Sequence, residues 1–372
     1  MNCTHIDWPD DKAYFREFFR RAEAARVPLS GTLELTRRCN LRCLHCYLPR
    51  SHGTEYQGPQ ERVCGDGRRE MTTAQVLMIV DQVVAAGCLS LLITGGDPLL
   101  RQDFSEIYRH AKVAGVEVTV FTNGTPVTDR VVELFQDLPP RVVEISLYGA
   151  TAETYERITG VPGSFRRCLA GIRRLHDGGI RLVLKTMLMT ANSHELEAME
   201  GLAGRYGAKF RFDPVVNACL DGGREPLSLR LDVGEVIQLE FGSRERRQGW
   251  IDYYAKYPDI APADRLLQCG AGETMFHVDA FGNLQPCLML PGASFSLLTG
   301  TFAEGWAQIA SVRETRVGEG NRCSSCQRRP YCGYCPGLLA LENGDPEIPS
   351  AYLCALGTER LRAVAMFSQG EE

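Results

Sequence analysis

Three cysteines, Cys39, Cys43 and Cys46, fall within eight residues in the run Thr36-Arg37-Arg38-Cys39-Asn40-Leu41-Arg42-Cys43-Leu44-His45-Cys46-Tyr47. Cluster iron is soft and prefers sulfur, and one loop of this length can wrap three corners of a four-iron cubane. The fourth iron would then carry no protein ligand and could take a substrate or a cofactor. Zinc also accepts closely spaced cysteines, so the spacing by itself leaves a zinc site open.

A second field follows: Cys269, Cys287, Cys323, Cys326, Cys332, Cys335 and Cys354, seven thiols in 86 residues. Its centre reads Cys323-x2-Cys326-x5-Cys332-x2-Cys335. Paired Cys-x2-Cys knuckles also describe a zinc ribbon, although that reading leaves three cysteines of the field unused. The remaining five (Cys3, Cys64, Cys88, Cys168 and Cys219) are isolated and read as small buried hydrophobes.

Bulk composition bounds what such sites can serve. The chain has 372 residues, 44% hydrophobic and 23% charged, enough for a large domain and a smaller appendage. Its formal net charge is -5, with no run of Lys or Arg to track phosphates or an anionic membrane, so nucleic-acid and membrane partners are not expected. Residues 1–10 lack the apolar core of an export signal, and no stretch approaches the roughly 20 apolar residues of a membrane span. Fifteen cysteines in such a chain point to the reducing cytoplasm, where thiols stay free for metals.

The elements that must position these thiols follow from periodicity. Residues 11–26 predict a leading helix with Tyr14, Phe15, Phe18 and Phe19 on an apolar stripe. Strands are predicted at 32–36, 89–94, 116–121, 142–147, 181–187 and 208–212, with helices at 72–86, 103–114, 128–138, 164–177 and 193–205 between them. Residues 49–70 form a long glycine-containing insertion. Six strands alternating with helices imply parallel pairing, right-handed crossovers and a partial barrel. Such barrels place their sites at the carboxyl ends of strands. There stand Cys39 to Cys46, Gly95-Gly96-Asp97-Pro98, Thr122-Asn123-Gly124, Ser146 and Lys185. Beyond 215 a bridging helix is expected near 232–245, then a hairpin over 276–285 turning at Gly282.

The Cys-x3-Cys-x2-Cys spacing behind Thr32-Leu33-Glu34-Leu35-Thr36 resembles the signature of the radical S-adenosylmethionine (SAM) superfamily. The resemblance implies a 4Fe-4S cluster on Cys39, Cys43 and Cys46 that binds SAM, with His45 near the adenine. Gly95-Gly96-Asp97-Pro98 resembles the family's Gly-Gly-Glu-Pro motif, with Asp97 one methylene short. Ser146 and Arg157 match positions that bind the ribose and carboxylate of SAM, and Thr122 joins this cofactor-binding set. Lys185 would meet the SAM carboxylate or the substrate, or serve as a surface ion pair.

The second field resembles the SPASM extension of peptide-modifying members. That likeness implies an outer auxiliary cluster on Cys323, Cys326, Cys332 and Cys354 and an inner one on Cys269, Cys287 and Cys335, whose fourth ligand stays open. The Cys332-x2-Cys335 spacing departs from the usual three residues. The expected fold is α/β: a partial (β/α)6 parallel barrel over 31–215, preceded by a helical lead-in over 1–30. A bridging region (216–262), a small Cys-rich α+β domain with a β-hairpin (263–360) and a tail (361–372) follow.

The implied activity is that of a radical SAM oxidoreductase. It would reductively cleave SAM to a 5'-deoxyadenosyl radical that abstracts hydrogen from an unactivated carbon. The implied substrate is a ribosomally made peptide that is crosslinked or oxidised. A small molecule such as a tetrapyrrole or amino-acid derivative is the alternative, and a non-catalytic iron-sulfur or zinc protein a further one. Leu288 and Met289 after Cys287 disfavour the sulfatase-modifying branch, whose members carry an acidic base there. Only about 30 residues precede the first strand, so leader recognition would need a separate leader-peptide-binding protein or direct docking. The expected electron donor is a flavodoxin or ferredoxin.

Overall fold

A computed structural model describes residues 11–48, 68–256 and 262–368. Most of the expected insertion (49–67), Cys3, Cys64 and residues 369–372 of the tail lie outside the described residues. Six parallel strands pair in chain order: β1 (Ser30–Thr36), β2 (Ser90–Gly95), β3 (Glu117–Thr122), β4 (Val142–Ser146), β5 (Leu182–Met187) and β6 (Lys209–Asp213). After a leading helix α1 (Asp11–Ala24), the crossovers are α2 (Thr73–Ala85), α3 (Phe104–Val113), α4 (Asp129–Asp137), α5 (Ala152–Thr159) with α6 (Ser164–Asp177), and α7 (Leu196–Arg205).

Alternation along each strand decides the two faces. Leu33, Leu35, Leu91, Ile93, Val118, Val120, Val143, Ile145 and Leu184 pack with Val76, Ile79, Ile107, Phe135 and Ile172 of the helices in one buried core. Each such side chain contributes roughly 1.5–3 kcal/mol by leaving water. The intervening positions Phe121, Glu144, Lys185 and Arg211 meet on the opposite face, inside the barrel. The apolar stripe of α1 is not buried: Tyr14, Phe15 and Phe19 are each more than half exposed, because no other element covers that face among the described residues.

The expected hairpin is β7 (Met275–Val278) with β8 (Asn283–Gln285), and Gly282 turns it in the left-handed region at φ +81°. A short β9 (Phe295–Ser296) pairs with β8. The hairpin does not stand apart. β7 pairs in parallel with β1, from Ser30↔Met275 to Leu33↔Val278, giving one sheet ordered β6-β5-β4-β3-β2-β1-β7-β8-β9. Gly31 permits this: a Cβ there would lie 2.1 Å from the Phe276 ring. α10 (Phe302–Arg313) seals the junction by packing Phe302 and Trp306 on Phe276.

The bridging helix expected over 232–245 is instead two, α8 (Val233–Phe241) and α9 (Arg244–Tyr254). They break at Gly242-Ser243 because the Ser243 side chain caps α9 by accepting from the Arg246 amide. The Cys-rich region ends in α11 (Arg329–Cys332), α12 (Pro336–Asn343) and α13 (Ala351–Ser368). Arg360 of α13 ties it to α8 through buried Glu240, with Nε–Oε2 at 2.8 Å and Nη2–Oε1 at 2.5 Å.

Candidate active site

The loop bearing Cys39, Cys43 and Cys46 leaves the carboxyl end of β1 and is fastened along its length. Gly96 N donates to Thr36 O at 2.7 Å and Asp97 N to Arg38 O at 2.9 Å. On the far side, Arg42 N and Leu44 N donate to the terminal carbonyls Thr159 O and Ile158 O of α5. Buried Glu70 accepts from Thr36 Oγ1 and Arg37 N, both at 2.7 Å. Gly95 and Gly96 are required by this loop: a Cβ on either would come within 2.1 Å of Thr36 O or Arg38 O, and Gly95 has φ +142°. The close approach they allow is that of the chain's own backbone.

The three thiols sit together. Burial pushes Cys39 up to about 12, the Asp97 charge adding to it, and lifts Cys43 well above its ordinary value with the charges of Cys39 and Cys46. A metal must displace those protons, so loading this loop with iron releases them. Asn123 Nδ2 points at Cys39 Sγ (3.8 Å) and bonds Asn40 Oδ1 at 2.9 Å. No disulfide joins cysteines among the described residues. Three soft donors on one loop fit a cubane with one open corner.

Asp97 is turned inward. Oδ2 accepts from Thr122 Oγ1 and Asn123 N, both at 2.8 Å, and Oδ1 from Leu99 N at 3.1 Å, the cap of the short 3-10 turn opened by buried Pro98. Burial pushes its carboxyl up to about 6 against these donors. Asp97 and Thr122 thus lock the end of β2 to the end of β3. In this structure both hold the frame around the thiols and present no free oxygen of Asp97 to a ligand.

On the opposite rim, His45 meets Tyr148 edge to face, ring centroids 4.4 Å apart. Burial pulls the imidazole down to about 4, so it is neutral at pH 7, and its Nδ1 is buried without a hydrogen-bond partner. An orphaned ring nitrogen beside the thiols fits a site that accepts a polar ligand edge. Ser146 bonds the Tyr148 hydroxyl. The turn from Tyr148 to Thr151 hangs on two residues that sequence reasoning did not single out. Asn192 Nδ2 donates to Tyr148 O at 3.1 Å, and Glu195 accepts from Ala150 N, Thr151 N, Thr151 Oγ1 and Thr154 Oγ1. Arg157 stands apart from this rim: it is exposed and donates to Ala191 O at 2.8 Å.

Inside the barrel, Lys185 lies at the level of Ser146 on one side and Arg211 on the other. Its Nζ is 3.5 Å from Glu144 Oε2 and 2.8 Å from the centre of the Phe121 ring, while Arg211 also bonds Glu144. Burial pulls this amine down to about 7, Glu144 opposing and Arg211 assisting. Lower on β1, Glu34 is fully buried between Arg37 (2.8 Å) and His277 of β7 (4.0 Å), and burial lifts its carboxyl to about 7.

The remaining seven thiols form two groups. Cys287 senses Cys335 and Cys269 after burial has pushed it up to about 11. Burial likewise pushes Cys332 to about 12, followed by the charges of Cys354, Cys326 and Cys323.

Sheet, thiol loop and rim together define a radical SAM fold, and residues 33–203 match the Radical SAM superfamily. The protein is a radical SAM enzyme that uses a 4Fe-4S cluster and SAM. It is 27% identical over 333 residues to the AdoMet-dependent heme synthase of Methanosarcina barkeri, covering 84% of this chain and 92% of that protein. It is 28% identical over 341 residues to the mycofactocin maturase MftC of Mycobacterium tuberculosis, covering 86% and 83%. Among solved structures, Streptococcus suis SuiB bound to its precursor peptide SuiA superposes with a TM-score of 0.66 at 15% identity, over 95% of this chain and 83% of that one.

Proposed function

We propose that this enzyme modifies a ribosomally made peptide, forming a crosslink or an oxidised side chain. The observation that carries the reading is the continuous sheet, which holds the Cys39/Cys43/Cys46 loop at one strand end and the hairpin between Cys269 and Cys287 beside it. The likeness to MftC and to peptide-bound SuiB supports a peptide substrate. Cys39, Cys43 and Cys46 would hold the 4Fe-4S cluster, which together with SAM would supply radical chemistry able to take hydrogen from an unactivated carbon.

The chain's own residues divide the remaining work. His45, Ser146 and Tyr148 orient the cofactor from the rim, and Gly95 to Pro98 and Thr122 keep the loop in place, while exposed Arg157, held by Ala191 O, stays apart from it. An amine near pH 7 in Lys185 also accepts a proton from a substrate losing an electron. Cys269, Cys287 and Cys335, and Cys323, Cys326, Cys332 and Cys354, would hold two auxiliary clusters, which would supply an acceptor for that electron. A flavodoxin or ferredoxin supplies the first electron.

Anaerobically reduced protein given SAM should release 5'-deoxyadenosine. The combined Cys39→Ala, Cys43→Ala and Cys46→Ala variant should release none while keeping about eight of about twelve irons. Co-expression with precursor peptides encoded nearby should lower the mass of one of them, and unchanged masses for all of them count against the reading. A tetrapyrrole substrate is the second reading, favoured by the 92% coverage of the heme synthase relative. A porphyrin product from the same assay would establish it instead.

A further inference from the structure

β6 ends the sheet, with β5 its one neighbour, so its outer row of backbone N–H and C=O groups pairs with no strand among the described residues. That edge borders a groove of about 1170 Å³, walled across from Phe210 and Phe212 by Trp250 and Tyr253 of α9 and running on to Cys332. Small-ligand pockets span roughly 300–1,000 Å³, so the space exceeds what one compact molecule needs.

We propose that this groove takes up an extended peptide, which adds to β6 as a further strand. The proposal rests on the peptide-modifying reading above and names the track by which that substrate reaches the barrel. An edge strand offers a repeat of main-chain hydrogen bonds, and the flanking walls select side chains at alternate positions. The aromatic wall is fixed in advance: Trp250 stacks on Tyr254 (5.6 Å) and Tyr254 on Tyr331 (4.3 Å). Tyr253 is 42% exposed, lines the space and meets Trp250 (5.9 Å) and Tyr254 (5.1 Å) edge to face.

Charge chooses the occupant. Arg211, Arg246 and Arg360 of the lining are committed to Glu144, Glu200 and Glu240. Glu197 and Glu245, also in the lining, have no cation within ion-pair distance among the described residues. The uncompensated charge is negative, which suits a peptide carrying Lys or Arg and opposes a porphyrin bearing several carboxylates. Position then links the groove to the chemistry. Strands lie about 4.8 Å apart, so an added strand is one spacing from Arg211 and two from Lys185, its register partner on β5. One end of the bound peptide therefore faces the barrel interior and the other Cys332.

The test uses the full chain, anaerobically reconstituted. Random 12-residue peptides displayed on phage are panned against it, and the enriched peptide is synthesised with a fluorescent label. Anisotropy should show binding that falls at least about tenfold when alternate backbone amides are N-methylated, and little when the intervening ones are. Trp250→Ala and Glu245→Lys should each weaken it severalfold while 5'-deoxyadenosine release from SAM stays at the wild-type rate. Binding that ignores both variants, or both methylation patterns, overturns the proposal, as does hemin that displaces the peptide from the wild type but not from Trp250→Ala. The two readings separate cleanly. A precursor peptide modified equally well by Trp250→Ala removes the groove and keeps the maturase. Groove binding with a porphyrin as the only product does the reverse.

Discussion

Glu195→Ala removes the acceptor that suspends the turn between β4 and α5. Four donors converge on its carboxylate, Ala150 N at 2.5 Å, Thr151 Oγ1 at 2.6 Å, Thr154 Oγ1 at 2.7 Å and Thr151 N at 3.2 Å, and the residue is only 9% exposed. A hydrogen bond to a charged group contributes roughly 1.5–3 kcal/mol. The four share one carboxylate and the two hydroxyls can turn to other acceptors, so the expected loss is about 3 kcal/mol, well short of the sum. Glu195→Gln keeps the shape and one good acceptor and should lose about half of that.

The sign of the pH dependence distinguishes charge from shape. Burial raises the Glu195 carboxyl, but the Thr151 and Thr154 donors outweigh it and hold it below the ordinary value. A carboxyl depressed in the folded state stabilises above its unfolded pKa, about 4.3, and that stability drains away as pH falls through the folded value. Urea unfolding should therefore show the gap between wild type and Glu195→Gln at full size at pH 7 and shrinking below about pH 4. Because the turn carries Tyr148 against His45, SAM affinity followed by the spectrum of the reduced cluster should weaken about tenfold in Glu195→Ala, the equivalent of 1.4 kcal/mol. An alanine variant with wild-type unfolding energy and wild-type SAM affinity would refute the assignment of this carboxylate to the rim.

Gly95→Ala forces a side chain to within 2.1 Å of Thr36 O at φ +142°, so it should cost about 2–4 kcal/mol and lower iron content at the first cluster, read by metal analysis after reconstitution. Arg360→Met leaves Glu240 charged and buried and should destabilise by about 3–5 kcal/mol, whereas adding Glu240→Leu should restore much of that loss in thermal unfolding. With its amine brought down to about 7 by burial, Lys185 should be labelled by acetic anhydride at pH 7 well ahead of surface lysines. Labelling no faster than Lys112 or Lys209 would count against the depressed value.

Much of this arrangement can be read from residue order. The six barrel strands are visible because Val, Ile and Leu alternate with polar residues between amphipathic helices, and α6 starts and stops at Ser164 and Asp177 as its periodicity requires. The grouped thiols are visible because their spacing, Cys39-x3-Cys43-x2-Cys46 and Cys323-x2-Cys326-x5-Cys332-x2-Cys335, stands in the residue order itself. α5 is not, since eight residues with two large apolar side chains, Tyr155 and Ile158, give too little periodicity; Thr151 as its cap and Gly160 as its stop were the available signals. The pairing of β7 with β1 joins residues some 245 apart and leaves only Gly31 as a local trace. Glu195 and Asn192 were illegible for a similar reason, their partners lying on a different connection. Sequence names the Asp97 carboxylate without saying that Thr122 Oγ1, Asn123 N and Leu99 N donate to it.

The parallel contact between β1 and β7 makes the polypeptide indivisible where its composition changes. Cutting after residue 262 would strip β1 of a neighbour along four residues and lay bare Leu33 and the face beneath Phe276. An excised barrel would carry a raw, sticky margin directly behind its catalytic cysteines. Fragments made for simpler spectroscopy should then aggregate, and the thiols of the Cys-rich region are better replaced one at a time within the intact chain.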